Sequence, residues 1–163
     1  KEDHPEASVV FIGPCASKKL EASRRTIRSD VDFVITFEEL AGMFEAKGLL
    51  PEAVEAIDKM NDATGAGRGY GVAGGVANAI EECIREYYPD VEVNIEHAES
   101  LAECKKMLML AKAGKKNGCL IEGMACPGGC IAGAGTNIPV PQAAKEVAGF
   151  KASADRKIPE VKH

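Results

Sequence analysis

Cys119-Leu120-Ile121-Glu122-Gly123-Met124-Ala125-Cys126-Pro127-Gly128-Gly129-Cys130 is a short apolar run that stops at glycine and delivers two thiols into a turn. Its first four residues read as a strand, and the Gly and Pro that follow mark a loop. Ser8-Val9-Val10-Phe11-Ile12, closed by Gly13-Pro14-Cys15, repeats the pattern near the other end of the chain. In open parallel sheets ligands gather beyond the carboxyl ends of strands, where Cys15 and Cys126 are both expected.

Between these loops the patterning predicts strands over 31–35 and 91–95 and helices over 18–28, 36–48, 76–88, 100–114 and 142–147, with a further helix starting at Pro51. Thr36-Phe37-Glu38-Glu39 and Ser100-Leu101-Ala102-Glu103 have the form of capping boxes, and Pro51 suits a first helical turn. Alternating strands and helices predict an α/β fold with a largely parallel sheet flanked by helices. At 163 residues the chain suits one domain spanning residues 1–163.

The net charge of -5 leaves no basic excess, so nucleic acid is not expected as a partner. No apolar run approaches the roughly 18 to 20 residues of a membrane span, and the polar start is not a secretory signal. A cytoplasmic protein is expected. Lys1 stands only a few residues before a strand, which reads as an excised portion of a longer chain. The six cysteines are then reduced thiols or metal ligands. Cys83, Cys104 and Cys119 fall in helix and strand patterns and read as small buried hydrophobes, whereas Cys15, Cys126 and Cys130 sit among Pro and Gly.

Glycines around Cys126 and Cys130 permit close backbone approach and leave N–H groups able to face sulfur, as an iron-sulfur cluster needs. The spacing alone also admits half a zinc site or a structural turn with incidental thiols. Gly13-Pro14-Cys15-Ala16-Ser17-Lys18-Lys19-Leu20-Glu21 adds a third thiol with Lys18 one turn further on, although Lys18 and Glu21 also suit a solvated helix face. Gly69-Tyr70-Gly71-Val72-Ala73-Gly74 satisfies the dinucleotide-binding glycine pattern, but no strand precedes it. With three His and none beside a Ser in a nucleophile elbow, a Ser/His/Asp hydrolase is not supported.

The two cysteine stretches together resemble the second and third signature motifs of [FeFe] hydrogenases, Met-Pro-Cys-x-x-Lys-x-x-Glu and Glu-x-Met-Ala-Cys-x-x-Gly-Cys-x-x-Gly-Gly-Gly. Asp30 to Thr36 with Glu39-Leu40, and Tyr70 to Val76, are similar to two further segments of that family, so the likeness runs over about residues 8–138. It implies one lobe of the iron-only hydrogenase catalytic domain, whose enzyme interconverts protons, electrons and dihydrogen. It also implies a [4Fe-4S] cluster bridged to a di-iron unit, together called the H-cluster. The implied metal ligands are Cys15, Cys126 and Cys130, with Cys130 bridging. Lys18 matches the lysine that hydrogen-bonds a cyanide of the di-iron unit, Met124 a methionine packed beside it, and Tyr70 with Gly71 a segment near its dithiolate. Lys18, Met124 and Cys130 are thus the implied catalytic group.

Gly13, Tyr70, Ala73 and Ala134 depart from the residues usual in the catalytic branch, and Thr-Ser-Cys-Cys-Pro, the first signature, is absent. A fourth ligand and the proton-relay cysteine are therefore expected in a missing N-terminal half of the same catalytic domain. A ferredoxin-like electron partner is implied for the parent, with the cofactor absent or incomplete in this chain alone. A non-catalytic hydrogen sensor or iron-sulfur scaffold and a structural zinc domain are the competing readings.

Overall fold

Two β-α-β turns of chain carry the architecture. The protein is seen here in a computed structural model that describes residues 1–24, 26, 30–55, 57 and 62–160. It divides into two compact units, Lys1–Ile57 with Gly133–Ile138, and Asp58–Ala132 with Pro139–His163.

In the first unit β1 (Val10–Gly13) leads through α1 (Ser17–Ser23) to β2 (Phe33–Thr36), and α2 (Phe37–Ala46) follows. The two strands pair in parallel, with Val10 opposite Phe33 and Gly13 opposite Thr36. Thr36 caps α2 as its sequence predicts: its side chain accepts from the Glu39 N–H at 3.2 Å and the Glu39 carboxylate accepts from the Thr36 N–H at 2.9 Å. Lys19 lies 2.7 Å from the same carboxylate. Its hydrogen bond, followed by that of the Thr36 N–H, holds the Glu39 carboxyl below the ordinary glutamate value. This contribution is present above the ordinary glutamate range and is lost as the pH falls through the lowered value.

The second unit contains α3 (Gly65–Arg68), α4 (Gly75–Tyr87), β3 (Asn94–Glu99), α5 (Leu101–Lys112), β4 (Cys119–Met124) and α6 (Val140–Ala152). β3 and β4 pair in parallel, from Asn94 opposite Cys119 to Glu99 opposite Met124. The parallel pairing and the flanking helices are those expected, divided between two two-stranded sheets among the described residues.

Several boundaries differ from expectation for local reasons. α1 stops at Ser23 because Arg24 is extended, and residues 25, 27 and 28 of the expected helix lie outside the described residues. Pro51 opens only a 3-10 turn, Pro51–Ala53, after which Val54 is extended. β3 begins later than its alternation suggests because pairing with Cys119–Met124 sets its span. α6 starts at Val140, near Pro141, and runs to Ala152.

The buried apolar positions are mostly small, Ala66, Ala77, Ala79, Ala98 and Ala143, with Ile131 among them. Val10, Phe11, Ile12 and Phe33 on the first sheet are exposed, Phe33 to 58%. Among the described residues no helix is long and apolar enough to cross a membrane.

Candidate metal centre

Cys15 is half-buried in the turn that joins β1 to α1. Lys18 stands in the first turn of α1, its Nζ 2.7 Å from Glu21 Oε2, and both side chains are more than a third exposed. The pair borders a crevice of about 60 Å³ lined also by Phe11 and Val34. Lys18 is thus engaged by the glutamate of its own motif. Gly135 belongs to this unit: its N–H donates to the Pro14 carbonyl at 3.0 Å and its carbonyl accepts from the Glu38 N–H at 3.2 Å. A Cβ there would lie 2.5 Å from Thr36 Cβ, which explains the glycine.

The second unit presents Cys126 and Cys130 on a loop beyond the end of β4, with Cys126 half-buried and Cys130 exposed. Gly128 and Gly129 take φ values of 92° and 91°, a region that favours glycine. The loop is stitched to the segment that carries Tyr70 and Gly71. The Ala73 N–H donates to the Gly128 carbonyl at 3.1 Å, and the Ile131 N–H donates to the Gly71 carbonyl at 3.0 Å. Gly129 packs so closely that a Cβ would sit 2.4 Å from the Ala73 nitrogen.

Two carboxylates whose sequence context suggested no such role hold these segments. Glu122, at 9% side-chain exposure, accepts from the N–H groups of Gly74 at 2.5 Å, Val76 at 3.0 Å and Ala77 at 3.2 Å. His97 Nδ1 lies 3.3 Å from the same carboxylate. Glu122 thereby occupies the amides at the start of α4, where an anion is favoured. These are also the amides that a nucleotide phosphate would need, and the segment before Gly69 is helix α3 rather than a strand, so the glycine pattern over Gly69 to Gly74 serves an internal carboxylate.

Glu99, the last residue of β3, accepts from the Gly128 N–H at 2.7 Å. Its own N–H donates to the Glu103 carboxylate at 2.8 Å. The second capping box is therefore altered: Ser100 accepts from the Glu103 N–H at 3.3 Å, but Glu103 reaches back to Glu99 because the Ser100 N–H is taken by the Met124 carbonyl at 2.8 Å. Ser100 is held at φ 110°, a costly conformation outside glycine.

Met124 ends β4 and is fixed through this carbonyl, which Cys104 Sγ also approaches at 3.8 Å. Cys104 packs beneath Gly123, where a Cβ would lie 3.1 Å from its sulfur. Tyr70, 48% exposed, lines an apolar cavity of about 230 Å³ with Ile80, Cys83 and Tyr87. Cys83, Cys104 and Cys119 are half-buried rather than fully buried as expected, each on a helix or strand near the surface.

The structure thus brings together Tyr70, Gly71, Met124, Cys126 and Cys130 on one unit, with Cys15 and Lys18 on the other. Among the described residues no three His, Cys, Asp or Glu side chains surround a single point as one metal ion would require. The donor set suits an iron-sulfur group in kind, since its members are thiols on glycine-bearing loops and thiolates are the ligands such clusters take.

The model of the iron only hydrogenase large subunit, C-terminal domain, matches residues 1–134. The periplasmic [Fe] hydrogenase large subunit of Nitratidesulfovibrio vulgaris is 30% identical over 169 aligned residues, covering 83% of this chain and 40% of the relative. Iron hydrogenase 1 of Clostridium pasteurianum is 29% identical, covering 82% of this chain and 29% of the relative. An apo variant of the [FeFe]-hydrogenase HydA1 of Chlamydomonas reinhardtii superposes with a TM-score of 0.60 at 20% identity, covering 96% of this chain and 55% of that one, and shows the shared fold. The chain spans well under two thirds of each of these proteins. The motif register, the two parallel β-α-β turns and the family match agree: this chain belongs to the iron only hydrogenase large subunit family, in its C-terminal domain.

Proposed function

We propose that this chain is the part of an iron-only hydrogenase catalytic domain that supplies Cys15, Cys126 and Cys130 as three of the four cysteine ligands of a [4Fe-4S] cluster linked to a di-iron unit. The observation that carries this reading is the Cys126–Cys130 loop, in which two left-handed glycines and the Gly71–Ala73 backbone hold two thiols at a strand end. The bound group supplies the redox chemistry of interconverting protons, electrons and dihydrogen. The protein's part would be to hold it: Cys130 would join Cys15 and Cys126 as a thiolate ligand, Lys18 would offer a cationic hydrogen-bond donor to an anionic part of the group, and Met124 and Tyr70 with Gly71 would pack around it. The fourth cysteine and the proton relay belong to the N-terminal half of the same catalytic domain, and the electron partner is ferredoxin-like. The exposed apolar residues of β1 and β2 support a further segment packing there. We place the protein in a reducing compartment, the cytoplasm, where thiols such as Cys15 and Cys126 persist; recovery in a periplasmic fraction would overturn that placement.

Anaerobic reconstitution with iron, sulfide and a synthetic di-iron cofactor is expected to give substoichiometric iron and no hydrogen from reduced viologen, because one ligand and the relay are lacking. Sustained turnover by this chain, or zinc in place of iron after anaerobic preparation, would refute the assignment. Gly13, Tyr70, Ala73 and Ala134 favour a second reading, a hydrogen sensor or iron-sulfur scaffold without useful turnover. Restoring the N-terminal half separates the two, since only the catalytic reading then gives hydrogen.

We further propose that residues 1–163 unfold as one domain, because the chain passes between the two units three times and neither is a continuous piece. All three tyrosines, Tyr70, Tyr87 and Tyr88, lie in the second unit, whereas far-ultraviolet circular dichroism reports helices of both. The two signals are expected to fall together in urea, and separate midpoints would show two domains.

A further inference from the structure

Nothing in the motif pattern assigns a role to Glu99. It lies 29 residues before Gly128 in sequence, yet its carboxylate meets the Gly128 N–H at 2.7 Å, midway between the two cysteines of the loop. Both sides of this contact are fixed. On the Glu99 side, the backbone N–H is held by Glu103, and the next residue, Ser100, is locked at φ 110° by its bond to the Met124 carbonyl. On the loop side, Gly128 and Gly129 adopt left-handed conformations that L-residues rarely use and that glycine takes without strain. The Gly128 carbonyl is bound by Ala73 and the Gly129 N–H by the Cys126 carbonyl, so Glu99 completes the main-chain bonding of the turn at its centre.

A charge-assisted bond to a carboxylate is about twice as strong as a neutral one. The strained Ser100 corner, which costs on its own, directly follows Glu99 at the end of β3. We propose that Glu99 is a positioning residue that holds Cys126 and Cys130 as a preformed pair of metal ligands, acting through the Gly128 amide. This rests on the reading of Cys126 and Cys130 as ligands given above, but not on the identity of the metal group.

The test uses the whole chain with cobalt(II) as the probe, read by its thiolate absorption, in the unaltered protein and in Glu99→Ala and Glu99→Gln. Glutamine keeps an acceptor oxygen for Gly128 and removes the charge, so a positioning role predicts that it binds cobalt within a fewfold of the unaltered chain. Alanine is expected to weaken cobalt binding by roughly tenfold to a hundredfold, the range typical for residues that orient ligands. Amide exchange should show Gly128 protected in the unaltered protein and in Glu99→Gln and released in Glu99→Ala, while the amides of β3 and α5 stay protected and show that the fold is intact. Equal losses in the alanine and glutamine variants would show a direct charge effect and overturn the proposal. So would unchanged Gly128 exchange in Glu99→Ala, or cobalt binding that is absent or survives serine at both Cys126 and Cys130. If the cobalt and exchange results are as expected but no iron-sulfur cluster can be assembled with the N-terminal half present, the hydrogenase reading fails and the role of Glu99 stands.

Discussion

Replacing Glu122 with Ala is expected to lower the unfolding free energy of this chain by roughly 3 to 5 kcal/mol, the range for breaking a buried charged group away from its partners. The side chain is nine-tenths buried and accepts from three amides at the start of α4. Its loss leaves those N–H groups without an acceptor and removes a negative charge from the positive end of the helix dipole, a contribution of up to about 2 kcal/mol in partly buried sites. Glu122→Gln keeps an acceptor oxygen but not the charge, so about half the loss is expected. Urea unfolding measures both. A cost below about 1 kcal/mol for the alanine variant would mean that solvent replaces the carboxylate freely and that the helix start does not depend on it.

Gly129→Ala is the second large expected effect, and it differs in kind because the obstacle is steric. At φ 91° an added Cβ is strained whatever its surroundings, and here it would also lie 2.4 Å from the Ala73 nitrogen and 2.6 Å from the Val72 carbonyl carbon. These are backbone atoms tied into the Gly71–Ile131 and Ala73–Gly128 hydrogen bonds, so they cannot swing aside as a flexible side chain would. A loss of more than about 4 kcal/mol is expected if the fold resists, which is at the extreme of single substitutions. If the fold yields, the two loops part, the Ala73 and Ile131 amides exchange rapidly, and Cys126 and Cys130 are alkylated faster. Gly42→Ala is the control. Gly42 lies inside α2, and a methyl group added there would meet nothing within 4 Å, so alanine should stabilise by up to about 1 kcal/mol. Similar behaviour of the two alanine variants would show that the close approach at Gly129 is not a constraint.

Features built from neighbours along the chain were legible in the sequence. The Thr36–Glu39 box formed with both of its bonds because all four atoms lie within one turn of chain. The bounds of α4 follow from the glycines before it and Pro89 after it. Apolar runs closed by Gly and Pro located β1 and β4, and the cysteines beside them followed at the strand ends. The Ser100–Glu103 box shows where such reasoning stops: its residues are correct, but the Ser100 N–H was claimed by Met124, 24 residues away, and Glu103 turned to Glu99 instead.

What the sequence by itself determined is the α/β class, the helix caps that close within one turn, the family and the identity of the thiols. The partners of these two carboxylates came only from tertiary structure, because Glu122 meets amides 45 to 48 residues away and Glu99 an amide 29 residues away. No local pattern encodes such pairs, since a carboxylate in a strand looks the same whether it faces water or a helix start. The glycine at 135 is of the same kind: its need arises from Thr36, nearly a hundred positions earlier, and exists only once the chain returns to the first unit. Local hydrogen bonds are set by covalent neighbours, whereas contacts across the fold appear only when the packing of distant segments brings donor and acceptor within reach.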